Sequence, residues 1–305
     1  MLRLGLCCKF AEEPIRFFTA TAAYTGRLKP AARAGKIAGL CRDNAASLLK
    51  AIEYCAANGI GCFRINSQIL PLKTHPELGY RAEDLPGGAE IERAFRLCGR
   101  RAAGLGVRLT FHPDQFILLS SPDLEITRKS VVELEYQAQV AGWTGADVIN
   151  IHAGGAYGEP AAALDRVARA LDRLKDSVRE RLTLENDDRT YGPEALLPFC
   201  KKHGVPFVYD VHHHRCLPDR LGAEEATRLA LKTWNREPLF HLSSSREGRD
   251  SARPQYHHDY IDIKDLPACW LGLDITVEVE AKAKELAVKK LAVQLAALRK
   301  RRGKK

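Results

Sequence analysis

The sequence lacks the segments that would direct the chain into or across a membrane. No run of about 18 or more apolar residues occurs, which excludes a transmembrane helix. The first residues, Met1 to Leu6, have the pattern of a buried strand, without the charged and apolar regions of a signal peptide. We therefore expect a cytoplasmic protein with no membrane partner.

Motifs built on paired cysteines or on glycines are absent as well. The nine cysteines are an odd number, no Cys-x-x-Cys pair occurs, and most of them lie in apolar periodic segments. This pattern is typical of small buried side chains in a reducing compartment. No Gly-x-Gly-x-x-Gly follows the apolar segment that ends at Leu6, so we expect no nucleotide cofactor.

Positive charge is in excess, with a formal net charge of +9 and a pI of about 9.1. A basic balance favours a polyanionic partner such as nucleic acid, although many cytosolic enzymes are basic too. A basic run closes the chain, and it also suits a solvated, cation-capped helix end. It comprises Arg299, Lys300, Arg301, Arg302, Lys304 and Lys305.

Short apolar runs alternate with longer segments of helical period. The predicted strands are Leu2–Leu6, Gly61–Ile65, Val107–Phe111, Val148–Ile151, Leu182–Leu184, Phe207–Val211, Leu239–Leu242 and Leu273–Val279. Repeated strand–helix units require a parallel sheet, and eight of them in about 300 residues favour a closed barrel. We predict an α/β fold of the (β/α)8 TIM-barrel type. It would be a monomer with one domain over residues 1–305 and a basic C-terminal helix end.

The gaps between these strands hold the predicted helices. Their bounds are Asp43–Ala57, Ala89–Leu105, Pro122–Gly142, Pro160–Val178, Pro193–His203, Ala223–Trp234 and Ala281–Arg302. The long gap from Cys7 to Asp43 begins with loop-like residues, and only a short helix is expected near Asp262–Ala268.

Side chains of the metal-ligand type close six consecutive predicted strands. They are His112, His152, Glu185, Asp210 with His213, His241, and Glu278 with Glu280. In a barrel these strand ends meet at one rim, where buried charges must be paired or metal-bound. Imidazoles and carboxylates without cysteine suit Zn, Mn or Fe. So many ligands indicate two or three ions, an arrangement typical of phosphoester hydrolysis.

Two local patterns leave a choice of ligand. Neighbours in an extended chain point to opposite faces, so His212, His213 and His214 are partly redundant. We expect Asp210 and His213, which are spaced i, i+3 across a turn, to act together. The side chains of His212 and His214 would either support this pair or face solvent. Glu278 and Glu280 share one strand face, and the pattern does not choose between them.

Taken together, the motifs resemble the UV damage endonuclease family. The resemblance runs from about residue 2 to 290, with every block in order. It is carried by Phe63–Ser67, Thr74–Pro76, Phe111–Phe116, Ile151–Gly155, Leu184–Asp187, Asp210–His213, Phe240–Ser243, His257–Ile261 and Val279–Lys282.

The resemblance implies a barrel with up to three divalent ions, commonly Mn²⁺ (Mg²⁺ or Zn²⁺ as alternatives), and damaged double-stranded DNA as partner. The implied reaction is incision immediately 5′ to cyclobutane dimers and 6-4 photoproducts, with catalytic roles for Glu185, Asp210 and His241. Gln115 and Phe116 would probe the duplex, and Arg64, Lys9, Lys73 and Arg246 are candidate phosphate contacts. The implied metal ligands are His75, His112, His152, Glu185, Asp210, His213, His241, His257 and Glu280.

The chain departs from the family pattern at three positions. Leu239 stands where some members have a modifiable lysine, Leu6 where many have a tyrosine that contacts the lesion, and Phe116 where the probe is often tyrosine. These changes leave the metal chemistry in place and bear on the range of lesions.

Three other functions fit parts of the pattern. A sugar isomerase or epimerase shares this barrel and its metal ligands, but it needs neither the +9 charge nor Gln115 and Phe116. An abasic-site endonuclease of similar fold is the second. The third is a DNA-damage-binding protein with an inactive metal site, against which the retained ligand set argues.

Overall fold

The computed structural model describes residues 2–302, which contain a closed barrel of eight parallel strands. The strands pair in sequence order, and β8 pairs back onto β1. This confirms the predicted (β/α)8 barrel. Lys304 and Lys305 of the basic C-terminal run lie outside the described residues. The strands are β1 (Arg3–Cys7), β2 (Cys62–Ile65), β3 (Arg108–Phe111), β4 (Val148–His152), β5 (Leu182–Glu185), β6 (Phe207–Asp210), β7 (Leu239–Leu242) and β8 (Thr276–Val279).

Helices fill most of the connections between the strands. They are α1 (Ala22–Gly26), α2 (Pro30–Ala57), α3 (Gly88–Leu105), α4 (Leu124–Thr144), α5 (Pro160–Leu171), α6 (Asp176–Arg179), α7 (Pro193–His203), α8 (Val211–Cys216), α9 (Ala223–Leu231) and α10 (Lys284–Arg302). Short 3-10 turns lie at Ala82–Asp84, Ile263–Asp265 and Ala268–Trp270. None of the helices within residues 2–302 combines the length and apolarity needed to cross a bilayer.

Several helices differ from the predictions, and α1 was not predicted at all. The helix before β2 begins at Pro30 rather than Asp43, because Ile37 and Cys41 extend its buried stripe. The helix predicted over Pro160–Val178 is divided into α5 and α6, because the chain turns between them. Helix α8 was not predicted, because its three histidines show no apolar period.

The strands separate an apolar layer from a polar barrel interior. Outward-facing side chains such as Phe63, Phe111 and Phe240 are fully buried against the helices and form the main core. The interior faces carry mainly polar side chains, apart from a small apolar cluster of Val148, Val208 and Leu239. Arg108 pairs with Asp147 near the amino-terminal ends of the strands at 2.8 Å. The barrel therefore offers hydrogen-bonding groups, rather than only apolar packing, to whatever lies at its carboxyl-terminal rim.

Candidate metal centre

Glu185, the last residue of β5, lies at the centre of a cluster of histidines. Its carboxylate is fully buried. Oε2 lies 3.0 Å from Nε2 of His112, and Oε1 lies 3.2 Å from Nδ1 of His213 and 3.0 Å from Nδ1 of His241. Nε2 of His152, at the end of β4, lies 3.9 Å from Oε2 of Glu185. The ends of three strands, β3, β4 and β7, together with α8 thus deliver imidazoles to one carboxylate, because the carboxyl ends of the strands meet at the rim.

Three overlapping groups of side chains have ligand atoms within 4.8 Å of one another. The groups share members, so the rim forms one continuous cluster. They are His112 with His152 and Glu185, His112 with His241 and Glu280, and Glu185 with Asp210 and His213.

The orientation of the donor atoms fits bound cations. Four buried atoms of this cluster have no hydrogen-bond partner: Nδ1 of His152, Oε1 of Glu185, Oδ2 of Asp210 and Nδ1 of His241. A buried polar atom without a partner lowers the stability of the fold by about 1–3 kcal/mol. Several such atoms at one rim therefore indicate that a bound group supplies the missing interactions. Nitrogen and oxygen donors of this kind suit divalent metals.

The electrostatics of the cluster agree with this fit. Burial alone would raise the pKa of Glu185, but His241 and His152 hold it well below its usual range. Burial lowers the pKa of His152, which favours the neutral imidazole that binds metals. Burial would also lower the pKa of His241, yet Glu185 and Glu280 raise it to about 10. The surplus of carboxylates around His241 therefore attracts positive charge.

Helix α8 sets the positions of Asp210 and His213. Asp210 caps the helix, because its carboxylate accepts the backbone N–H groups of His212 and His213 at 2.6 and 2.8 Å. A helical turn, rather than an extended chain, carries the three histidines, and it brings Asp210 and His213 together at the spacing i, i+3. His213 Nδ1 lies 3.6 Å from Asp210 Oδ2, while His212 and His214 are buried on other sides of the helix.

The two glutamates at the end of β8 take different places. Glu280 belongs to the cluster, whereas Glu278 lies one layer deeper and is held by Arg64 and Thr110. Arg64 was expected to contact DNA phosphate, and the structure contradicts this. Its side chain is only 7% exposed and pairs with Glu278 and Glu280 inside the barrel. A guanidinium on β2 points inward because side chains alternate along a strand.

His75 and His257 lie at the margin of the cluster. Nδ1 of His257 is 3.8 Å from Oε2 of Glu280. His75 lies in the loop after β2, where its Nδ1 accepts the N–H groups of Glu77 and Leu78, which leaves Nε2 available. Within residues 2–302, neither histidine belongs to the three close groups. The assignment of both as ligands stays a prediction.

Gln115 and Phe116 project from the loop between β3 and α4. Both are exposed, and the Phe116 ring is 75% exposed, so it is not part of the core. A cavity on one side of the loop is lined by Gln115, His152 and His213, and a groove on the other side is lined by Phe116 and His75. The pair thus stands beside the ligand cluster, free to contact a substrate.

The other residues predicted to contact DNA at the rim differ in how far they are exposed. Lys9 and Arg246 are exposed, and Lys73 is half-buried. Leu6 is fully buried in the main core, and Leu239 packs against Val148 and Val208. The two leucines therefore do not reach the surface of the rim.

Two asparagines that support the cluster were not singled out in the sequence. Asn150 donates to Glu185 Oε2 at 2.5 Å and accepts from Thr183. Asn186 exchanges hydrogen bonds with the backbone of Asp210. The signal for Asn150 was present, because a polar residue two positions before His152 faces the same barrel interior.

Comparisons with known proteins point to one family. The chain matches the UV-endonuclease UvdE family over residues 2–303. It is 34% identical to the UV DNA damage endonuclease of Bacillus velezensis, covering 96% of this chain and 92% of the relative. The corresponding protein of Bacillus pumilus is 33% identical over 85% of this chain and 82% of its own length.

Solved structures show the same fold. The crystal structure of SacUVDE aligns with a TM-score of 0.85 at 23% identity, covering 98% of this chain and 99% of that one. Endonuclease IV from Thermus thermophilus aligns with a TM-score of 0.63 at 18% identity, covering 97% and 98%. A D-psicose 3-epimerase from Clostridium cellulolyticum aligns with a TM-score of 0.56 at 12% identity, covering 97% of both chains. Together with the sequence matches, the chain belongs to the UV-endonuclease UvdE family.

Proposed function

We propose that this endonuclease is metal-dependent and incises double-stranded DNA immediately 5′ to UV photoproducts, both cyclobutane dimers and 6-4 photoproducts. The centre would hold two or three divalent ions, with Mn²⁺ as the preferred metal. One observation carries the proposal. In a member of this family, buried donor atoms without partners, from β4, β5, β6 and β7, face one another at the rim.

The side chains of the cluster have separate tasks in this reaction. His112, His152, Glu185, Asp210, His213, His241 and Glu280 would hold the ions, with Glu185 shared between them. When bound, divalent ions lower the pKa of water and stabilise the charge that develops on a phosphodiester. The Asp210 cap and the Asn150 bond fix the carboxylates before substrate arrives, so they need not reorganise during the reaction.

The substitution Glu185→Gln tests the centre. It keeps the shape of the side chain but removes the charge shared by four histidines, so we expect incision to fall by roughly 10²–10³-fold or more. The assay follows a labelled duplex with one cyclobutane dimer, in Mn²⁺ and in chelator. Glu53→Gln, on the outer face of α2, is the matched control and should incise like the wild type. Full activity of Glu185→Gln, or full activity in chelator, would refute the proposed centre.

The position of the cut is read from the same assay. The labelled product should end at the nucleotide immediately 5′ to the dimer. A second duplex with a 6-4 photoproduct should give the corresponding product. A product of another length, or no product from the second duplex, contradicts that part of the proposal and leaves the endonuclease activity in place.

A further inference from the structure

We propose that Glu278 is a positioning residue, which fixes the ring and the tautomer of His241 so that Nδ1 is presented to the metal centre. This inference rests on the proposed metal centre and concerns the layer of side chains beneath it. The pattern of residues did not separate Glu278 from Glu280 as a ligand, and the structure gives them different neighbours.

The two ring nitrogens of His241 face opposite ways. Nδ1 faces the cluster, at 3.0 Å from Oε1 of Glu185 and 3.5 Å from Oε1 of Glu280, and has no hydrogen-bond partner. Nε2 faces the barrel interior, at 3.1 Å from Oε2 of Glu278. When one nitrogen of a histidine binds a metal, a carboxylate on the other fixes the orientation of the ring. Glu278 is the carboxylate beside Nε2 of His241.

Arg64 competes with Glu278 for the same ring nitrogen. Its Nη2 lies 2.9 Å from the same Nε2 of His241, but a guanidinium only donates and an ionised carboxylate only accepts. With Nδ1 used by a metal, Nε2 carries the proton and its bond goes to Glu278. Arg64 keeps its other bonds, with Nε at 2.6 Å from Glu278 Oε2 and Nη1 at 2.7 Å from Glu280 Oε1.

The position of Glu278 is itself built into the barrel. The hydroxyl of Thr110, on β3, donates to its Oε1, and both side chains are buried. Gly5 of β1 leaves the space that the Glu278 side chain occupies, since a Cβ there would lie 3.1 Å from Glu278 Cγ. The Nε–H group of Arg64 donates to the other carboxylate oxygen, Oε2, so both oxygens of Glu278 accept hydrogen bonds and the side chain acts as a carboxylate.

Two substitutions test this role by metal affinity. Glu278→Gln removes the charge behind His241, and Thr110→Val removes only the bond that holds Glu278. The matched control is Thr276→Val, an equally buried threonine inside the barrel whose hydroxyl bonds to Glu237 instead. Binding of Mn²⁺ to the purified full chain is measured by calorimetry, beside the melting temperature in chelator. Incision is then measured as a function of Mn²⁺ concentration.

For a positioning role, Glu278→Gln weakens Mn²⁺ binding by about 10–100-fold, Thr110→Val weakens it less, and Thr276→Val leaves it unchanged. High Mn²⁺ then restores incision by both weakened variants. The inference is overturned if Thr110→Val and Glu278→Gln bind Mn²⁺ like the wild type, or if Thr276→Val weakens binding equally. If Glu278→Gln does not fold, Thr110→Val decides alone. Because the calorimetry contains no DNA, a wild type that binds Mn²⁺ but incises nothing refutes the proposed function only.

Discussion

At the scale of single residues, Gln115 and Phe116 bear on how damaged DNA would be distinguished from intact DNA. We expect a metal centre at a barrel rim to reach a phosphodiester only where the duplex is bent or opened. Inserting a side chain into stacked bases costs a few kcal/mol per step, and less where a lesion has already weakened the stack. The exposure of Phe116 and its place beside the ligand cluster support such a role.

We predict that the double substitution Gln115→Ala and Phe116→Ala lowers the preference for damaged over undamaged duplex by about tenfold or more. Metal binding should be unchanged, because neither side chain belongs to the close ligand groups. Binding of both duplexes is measured by fluorescence anisotropy, with metal content as the second measurement. Val293→Ala removes an exposed apolar side chain from α10 and serves as control. Unchanged discrimination in the double variant would argue against insertion.

At the scale of elements, α8 is a short helix that carries His213, one of the proposed ligands, and hydrogen bonds on its other side hold it in place. His214 bridges two partners, with Nε2 at 3.0 Å from Asp219 Oδ1 and Nδ1 at 2.8 Å from the hydroxyl of Tyr209. Asp219 also accepts the backbone N–H groups of Glu194 and Leu221. A helix of six residues has little stability of its own, so these bonds fix the direction in which His213 points.

We predict that Asp219→Asn lowers the free energy of unfolding by about 1–3 kcal/mol at neutral pH, the usual range for a charge-assisted hydrogen bond. Burial raises the pKa of Asp219, but its backbone bonds and His214 lower it overall. Its contribution is therefore complete at neutral pH and declines only as the pH falls below the ordinary range for aspartate. Urea unfolding gives the value, with the exposed Asp172→Asn as control. Equal stability of both variants would contradict the anchoring of α8.

The same elements show how far the sequence could predict the structure. All eight strands were placed within a few residues, because buried parallel strands are short apolar runs between long helical segments. The meeting of His112, His152, Glu185 and His241 at one rim followed from that topology. The course of α8 and the burial of Arg64 did not, because each depends on partners far apart in the chain, such as Asp219 for His214 and Glu278 for Arg64.

At the scale of the whole molecule, the excess of positive charge predicts how binding responds to salt. For a DNA-binding protein, log affinity falls linearly with log salt concentration, by about 0.9 for each phosphate neutralised. Lys9 and Arg246 are exposed and next to the rim, so each substitution to alanine should reduce the slope by about one.

The control for this measurement is Lys50→Ala, in the half of α2 that leads to the opposite rim. Its slope should equal that of the wild type. A wild-type affinity that does not change with salt would count against a DNA substrate. It would favour the sugar isomerase or epimerase alternative, whose substrates carry no row of phosphates.

The candidate ligands come from strands spread along much of the sequence, and this has a consequence for the lifetime of the protein. His112 and Glu280 are separated by most of the chain, and the strands from β3 to β8 each contribute to the cluster or border it. Ions bound there would link strands that lie far apart in the sequence. A metal that binds only the folded chain adds about 2.7 kcal/mol of stability at a free concentration 100 times its dissociation constant. Metal supply would then govern how much of this repair enzyme survives proteolysis, as well as how fast each molecule works.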